Sequence, residues 1–196
     1  MMPAGEARTD FAATEDKLDQ EFDLLLGRWE HGNVGTSIVY CGDEADNKLD
    51  QLAAAAGSRG WKVLDADFSS SDLIDSVSTG LEKLGSDDAV IGIFDCSDTL
   101  NQAAVDATGD GAQGLLLVFK NLDALSPVEL NQVMQASHRS NQKATKLALL
   151  ASADQDIVQK LADATSYGSR LYSIIGDQVV PTDQGPSSRA RSQSSF

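Results

Sequence analysis

Positive charge is what this chain has least of. Its 196 residues carry 15 Lys and Arg against 30 Asp and Glu, a formal net charge of −15. Such a surface repels nucleic-acid phosphates and anionic membranes at long range, so neither is an expected partner. Cysteine is nearly absent: Cys41 and Cys96 fit no metal-ligand spacing. Both fall at the ends of expected strands, and reduced core thiols suit a cytoplasmic protein. The two histidines, His31 and His138, lie far apart with no Cys or carboxylate at ligand spacing, so no metal site is expected. No apolar run approaches a membrane span, and the polar N-terminus is not a signal peptide.

What is present is core material. The 41% hydrophobic content is enough for one domain with tails. Residues 1–14 are small and polar and are expected to be disordered. The domain is expected over residues 15–176, and a Pro-, Ser-, Gln- and Arg-rich tail, also expected to be disordered, fills residues 177–196. Inside the domain, apolar residues at helical spacing (Leu18, Phe22, Leu25, Leu26, Trp29) predict a helix over 15–29. Strands are predicted at 37–41, 61–66, 89–94, 114–119, 146–151 and 169–175. Helices are predicted after the loop that opens at Gly42, running to about residue 56, and at 69–84 (capped by Ser70 or Ser71), 99–108, 126–140 and 154–164. Ser126, Pro127 and Glu129 form a helix-start pattern. Trp29 and Trp61 read as core anchors, since no basic residues interleave with them for base stacking. Alternating strands and helices predict an α/β three-layer sandwich with a mostly parallel central sheet.

The chain is organised around TSIVYCGDEADNKLDQLAAAA, beginning at Thr36. An apolar strand feeds a glycine and then an alanine-rich helix, the outline of a mononucleotide-binding unit. The phosphate-loop pattern is G-x-x-x-x-G-K-[ST]. In that frame Gly42 and Lys48 are in place, but the second glycine is Asn47 and the magnesium-binding hydroxyl is Leu49. The loop also carries Asp43, Glu44 and Asp46, which would repel a triphosphate. Their simpler role is to complement a helix dipole. Lys48 has a simple role as well, a helix-surface lysine pairing with Glu44 or its Asp50–Gln51 neighbours.

The second diagnostic place is the end of the run Leu115–Phe119. A nucleoside triphosphatase needs an acidic pair there, one residue for magnesium and one to activate water. This chain has Lys120 and Asn121, which can do neither. Asp123 lies two residues beyond and is expected to point elsewhere. Lys120 could place its amine where magnesium sits in an active relative and neutralise the acidic loop.

Four stretches together resemble AAA-type P-loop ATPase domains, of the prokaryotic kind related to Orc/Cdc6. They are Ile38 through Lys48; Arg59-Gly60-Trp61-Lys62-Val63; LLLVFKNLDAL from Leu115 with Ser126-Pro127-Val128-Glu129-Leu130; and Ala164 through Tyr172. The resemblance spans about residues 15–175. It implies a P-loop NTPase-like fold, ATP binding and hydrolysis, and work on nucleic acid or protein. The departures at Asn47, Leu49, Lys120 and Asn121 argue against the chemistry. So does the strand end Ser152-Ala153-Asp154, which has no sensor asparagine. The residues after Ile175 leave no room for the family's helical lid or winged-helix domain. Arg170 matches the segment that supplies an arginine finger to a neighbour's site in such assemblies; the rival reading is a surface arginine.

The expectation is therefore a pseudo-ATPase with no cofactor and no catalytic residue. It would act through a protein partner, one candidate being an active ATPase relative, in an oligomeric state the sequence does not set. Two rivals stay open. One is an acidic decoy for a nucleic-acid-binding or defence protein, marked by carboxylates gathered on one face. The other is a sensor holding ATP or GTP through Lys48 without hydrolysis.

Overall fold

The computed structural model describes residues 7–164 and 172–176. Five strands occur there: β1 (Ser37–Cys41), β2 (Lys62–Asp67), β3 (Leu115–Lys120), β4 (Leu147–Ser152) and β5 (Tyr172–Gly176). The helices are α1 (Ala7–Glu30), α2 (Ala45–Ser58), α3 (Leu73–Lys83), α4 (Cys96–Gly109), α5 (Pro127–Lys143) and α6 (Ile157–Ala164). The strand order is β2-β3-β4-β1-β5, and every pairing is parallel. All residues of β1 and β4, and all of β3 before Lys120, are buried. Strands covered on both faces read as unbroken apolar runs, which is why LLLVF and LALLA carry no polar alternation. Edge strand β2 does alternate, with Leu64 and Ala66 buried and Asp65 and Asp67 exposed.

Two separate cores make this a three-layer sandwich. On one face Leu115, Leu117 and Phe119 pack with residues of α3, α4, α5 and α6. On the other, Ile38, Tyr40, Leu116 and Val118 pack with Leu18, Phe22, Leu26 and Trp29 of α1 and Leu49 and Leu52 of α2. The apolar stripe expected in the first helix is this inner face, and both tryptophans are buried. No described helix is long and apolar enough to cross a membrane.

Helix starts follow local chemistry. Ser126 accepts the Glu129 N–H at 3.4 Å, and Glu129 returns the bond to the Ser126 N–H at 2.8 Å, a complete capping box. Glu129 also accepts the Leu73 N–H at 3.2 Å, so one carboxylate closes the starts of two helices. Burial works against its charge, yet these donors hold its pKa below the ordinary value.

Three boundaries differ from expectation. Helix α1 begins at Ala7, so residues 7–14 extend it. Helix α3 is capped by Asp72, which accepts the Asp75 N–H at 2.9 Å, rather than by Ser70 or Ser71. The predicted strand at 89–94 does not form: residues 85–92 run without regular structure into a short turn at Ile93–Asp95. Cys96 consequently opens α4 instead of closing a strand. Both cysteines are free and buried, and burial pushes the Cys41 thiol to about 11 and the Cys96 thiol to about 12.

Helix α1 is fastened to the end of α2 by charge. Arg59 grips Glu30 with Nε and Nη2 at 3.0 and 2.8 Å, and Asp23 with Nη1 at 3.0 Å. Trp61 Nε1 donates to the same Glu30 carboxylate at 3.1 Å. The Arg59 hydrogen bond is the main reason the Glu30 pKa lies below 4.5. A lowered carboxylate pKa adds stability above the unfolded value and loses it as pH falls through the folded one. Arg59→Ala is expected to cost about 1–2 kcal/mol at neutral pH. Urea denaturation should show that penalty shrinking below about pH 4.5; the same penalty in acid would contradict the account.

Candidate functional site

Strand β1 lies between β4 and β5, and its outgoing connection crosses β4 and β3 to reach β2. A crevice forms where the chain reverses direction across a parallel sheet, beyond the strand ends. It is present here as an open cleft of about 280 Å³, lined by Gly42, Glu44, Asp46, Asn47, Asn121, Ser152 and Asp154, among others. Gly42, Asn47, Asn121 and the end of β4 therefore share one cleft.

Their geometry is not that of a phosphate loop. Only Gly42, Asp43 and Glu44 lie between β1 and α2. The helix starts at Ala45, so Asn47 and Lys48 are already helical, and the Lys48 N–H bonds to the Glu44 carbonyl at 3.1 Å. Glu44 takes the left-handed conformation at φ 51°, and its side chain caps nothing. Gly42 is required by packing: an added Cβ would collide with the ring and hydroxyl of Tyr40, itself buried.

Lys48 does not reach the cleft. Its ammonium pairs with Asp19 of α1 at 3.1 Å, rather than with Glu44, Asp50 or Gln51. Leu49, at the magnesium-hydroxyl position, is fully buried against the sheet. Lys120 corrects a second expectation. Strand alternation puts it on the α1/α2 side with Leu116 and Val118. There it bonds Asp50 at 2.6 Å and Asp65 at 3.4 Å instead of neutralising the loop carboxylates. Burial opposes its charge, but those two partners raise its pKa above 10.5.

Asn121 is a joint. It adopts the left-handed conformation at φ 57°. Its Nδ2 donates to Asp67 at 2.8 Å, tying the ends of β2 and β3. The Ser69 N–H is the largest cause of the low Asp67 pKa, with Asn121 contributing. Asp123 accepts the N–H of cleft-lining Asp154 at 2.9 Å. Arg170 lies outside the described residues.

Sequence reading did not bring out the couple at the cleft's centre. The buried Ser152 hydroxyl donates to Asp46 at 2.6 Å and accepts the Asn121 N–H at 3.1 Å. This relay joins the end of β3, the end of β4 and the first turn of α2. Its signal is a lone serine closing the apolar run LALLAS, opposite an acid in the loop. Among the described residues three acidic side chains line the cleft (Glu44, Asp46, Asp154), and no Lys or Arg does. Among the described residues no group of three His, Cys, Asp or Glu could hold a metal ion.

No protein-family model matches the chain, and no curated protein does. Solved structures do share its fold. A chain in the structure of Drosophila ORC bound to AT-rich DNA and Cdc6 superposes at a TM-score of 0.56 with 15% identity, over 90% of this chain and 62% of that one. Cdc6p from Pyrobaculum aerophilum gives 0.56 with 14% identity, over 82% of this chain and 44% of its own. Drosophila ORC bound to DNA gives 0.52 with 13% identity, over 85% and 92%. The chain thus spans less than two thirds of the first of these structures. At such identities the likeness establishes the fold alone: a P-loop NTPase-like α/β sandwich of the Orc/Cdc6 type.

Ser152→Ala would leave the Asn121 N–H without its acceptor and Asp46 without its donor. It should cost about 1–2 kcal/mol by urea denaturation. Loss of only a few tenths would mean that solvent replaces the relay.

Proposed function

We propose that this chain is a non-catalytic member of the ATPase fold that works by contact with another protein. The observation that carries the reading is the cleft where the fold would hold a nucleotide, which presents three carboxylates and no cation among the described residues. Each unit charge about 4 Å from a phosphate costs about 1–4 kcal/mol at surface-like dielectric. The exposed N-terminus of α2 returns about 0.3–1 kcal/mol, up to about 2 in favourable settings. Repulsion therefore outweighs the helix dipole. Lys48 offers no relief, because its ammonium is engaged by Asp19.

An ATPase of the same fold is the partner we favour. One of the similar Drosophila structures contains ORC together with Cdc6, so this fold occurs there in company. Direct DNA contact is disfavoured by the net charge of −15. Arg170 remains our candidate for a finger offered to such a partner. The decoy and nucleotide-sensor readings rank below, since no observed contact favours either.

Calorimetry and thermal shift with ATP and ADP plus magnesium test the reading. The expected outcome is no saturable binding at millimolar nucleotide and no turnover. Saturable binding lost in Lys48→Ala would overturn it, because it would require Lys48 to leave Asp19 and face the cleft.

A further inference from the structure

The segment between α3 and α4 has a surface that the cleft does not explain. Residues 85–92 cross from one end of the domain to the other without joining the sheet. They are nonetheless anchored. Val90 is 6% exposed, and Ile93 packs on the α3–α6 core. With its amide nitrogen turned toward them, the buried Gln132 of α5 donates to the carbonyls of Ile93 and Phe94 at 3.3 Å.

Between these anchors the chain presents Ile91 at 89% and Phe94 at 73% exposure, the two most exposed large apolar side chains among the described residues. Val128, one turn before Gln132 on α5, is exposed as well. Isolated exposed apolar residues are ordinary, but a fixed backbone presenting a neighbouring Ile and Phe outward is the form of an interaction patch.

The segment's own charge is one-sided. Residues 85–98 contain Asp87, Asp88, Asp95 and Asp98 and no Lys or Arg, although Asp98 is ion-paired with Arg139 of α5. Asp87 and Asp88 also line a pocket of about 240 Å³ with Asp106, Asp110 and Lys62. Lys62, the one cation in that lining, is paired with Asp110 at 2.7 Å. Asp87, Asp88 and Asp106 have no ion-pair partner among the described residues. A second copy of this chain would bring like charge to the same place.

The geometry points to this strap as the docking surface for a basic amphipathic segment of a partner protein. Apolar side chains of the partner would cover Ile91 and Phe94, and a Lys or Arg would enter the pocket at Asp87, Asp88 and Asp106. This inference rests on the reading that the chain acts by protein contact, and it names the surface and the partner's chemistry. The acidic half gives long-range attraction and orientation, while the apolar half supplies affinity that salt does not screen.

The probe is a labelled Lys/Leu amphipathic helix peptide, titrated into the full chain by fluorescence anisotropy and by amide-resolved NMR. A Glu/Leu peptide and a Lys/Ser peptide serve as controls. Saturable binding of the Lys/Leu peptide alone is expected, with amide shifts concentrated at residues 86–95. Ile91→Ser with Phe94→Ser should weaken it about tenfold or more. Asp87→Asn with Asp88→Asn should weaken it severalfold and flatten its salt dependence. Equal binding of the Lys/Ser peptide, shifts centred elsewhere, or indifference to both pairs of substitutions would overturn the proposal.

Two other occupants are excluded by the same experiment. A dimer in sedimentation that Phe94→Ser abolishes would assign the patch to a second copy. Tighter peptide binding, by about tenfold, in Arg189→Ser with Arg191→Ser would assign it to the chain's own tail. Nucleotide titration is read separately: saturable ATP binding would sink the non-catalytic reading while leaving this surface in place, whereas peptide docking elsewhere would do the reverse.

Discussion

The structure depends on the burial of β4, β1 and β3 on both faces. Nothing polar interrupts β3 and β4 until their last residues, so a slip in register would bury Lys120 or expose Leu150. The fixed register brings the ends of β1, β3 and β4 together with the start of α2. Everything at the cleft follows from that alignment. Ser152 meets Asp46 there because Tyr40 pairs with Ser152 across the β1–β4 ladder.

The same burial decides where the lysines go. A lysine at the end of β3 with the parity of Leu116 and Val118 must emerge on the α1/α2 side, and there it meets Asp50 and Asp65. A lysine on the first turns of α2 meets whatever α1 presents, which is Asp19. Both cations are thus used to hold layers together. In a chain with 15 basic residues against 30 acidic ones, this leaves the cleft, among the described residues, with carboxylates and no cation. An interior with little positive charge to spare has spent it on packing α1, α2 and β2 around the sheet.

The two faces of the sandwich differ in what they leave for binding. The α1/α2 face is closed by the Arg59–Glu30–Trp61 cluster and the Lys48 and Lys120 pairs. On the opposite side, the α3–α4 connection is pinned by Val90 and Gln132 but lays Ile91 and Phe94 open to solvent. The acidic residues beside that connection give it a mixed, apolar-and-charged character.

Much of this was legible in the chain itself. The strands β1, β3 and β4, the stripe of α1 and the capping box of α5 follow from local rules, because apolar period and capping chemistry act over a few residues. The expected strand at 89–94 does not form although AVIGIF has strand composition: β2 stays the edge of the sheet, and the segment is held instead by the α3–α6 core and by Gln132 of α5. The destination of each lysine was also beyond local rules. Glu44 stands at the favourable spacing from Lys48, yet Asp19, 29 residues earlier, takes the ammonium. Sequence alone determined which residues gather at the head of the sheet. Tertiary structure decided which way their side chains face, since that depends on partners brought close only by packing.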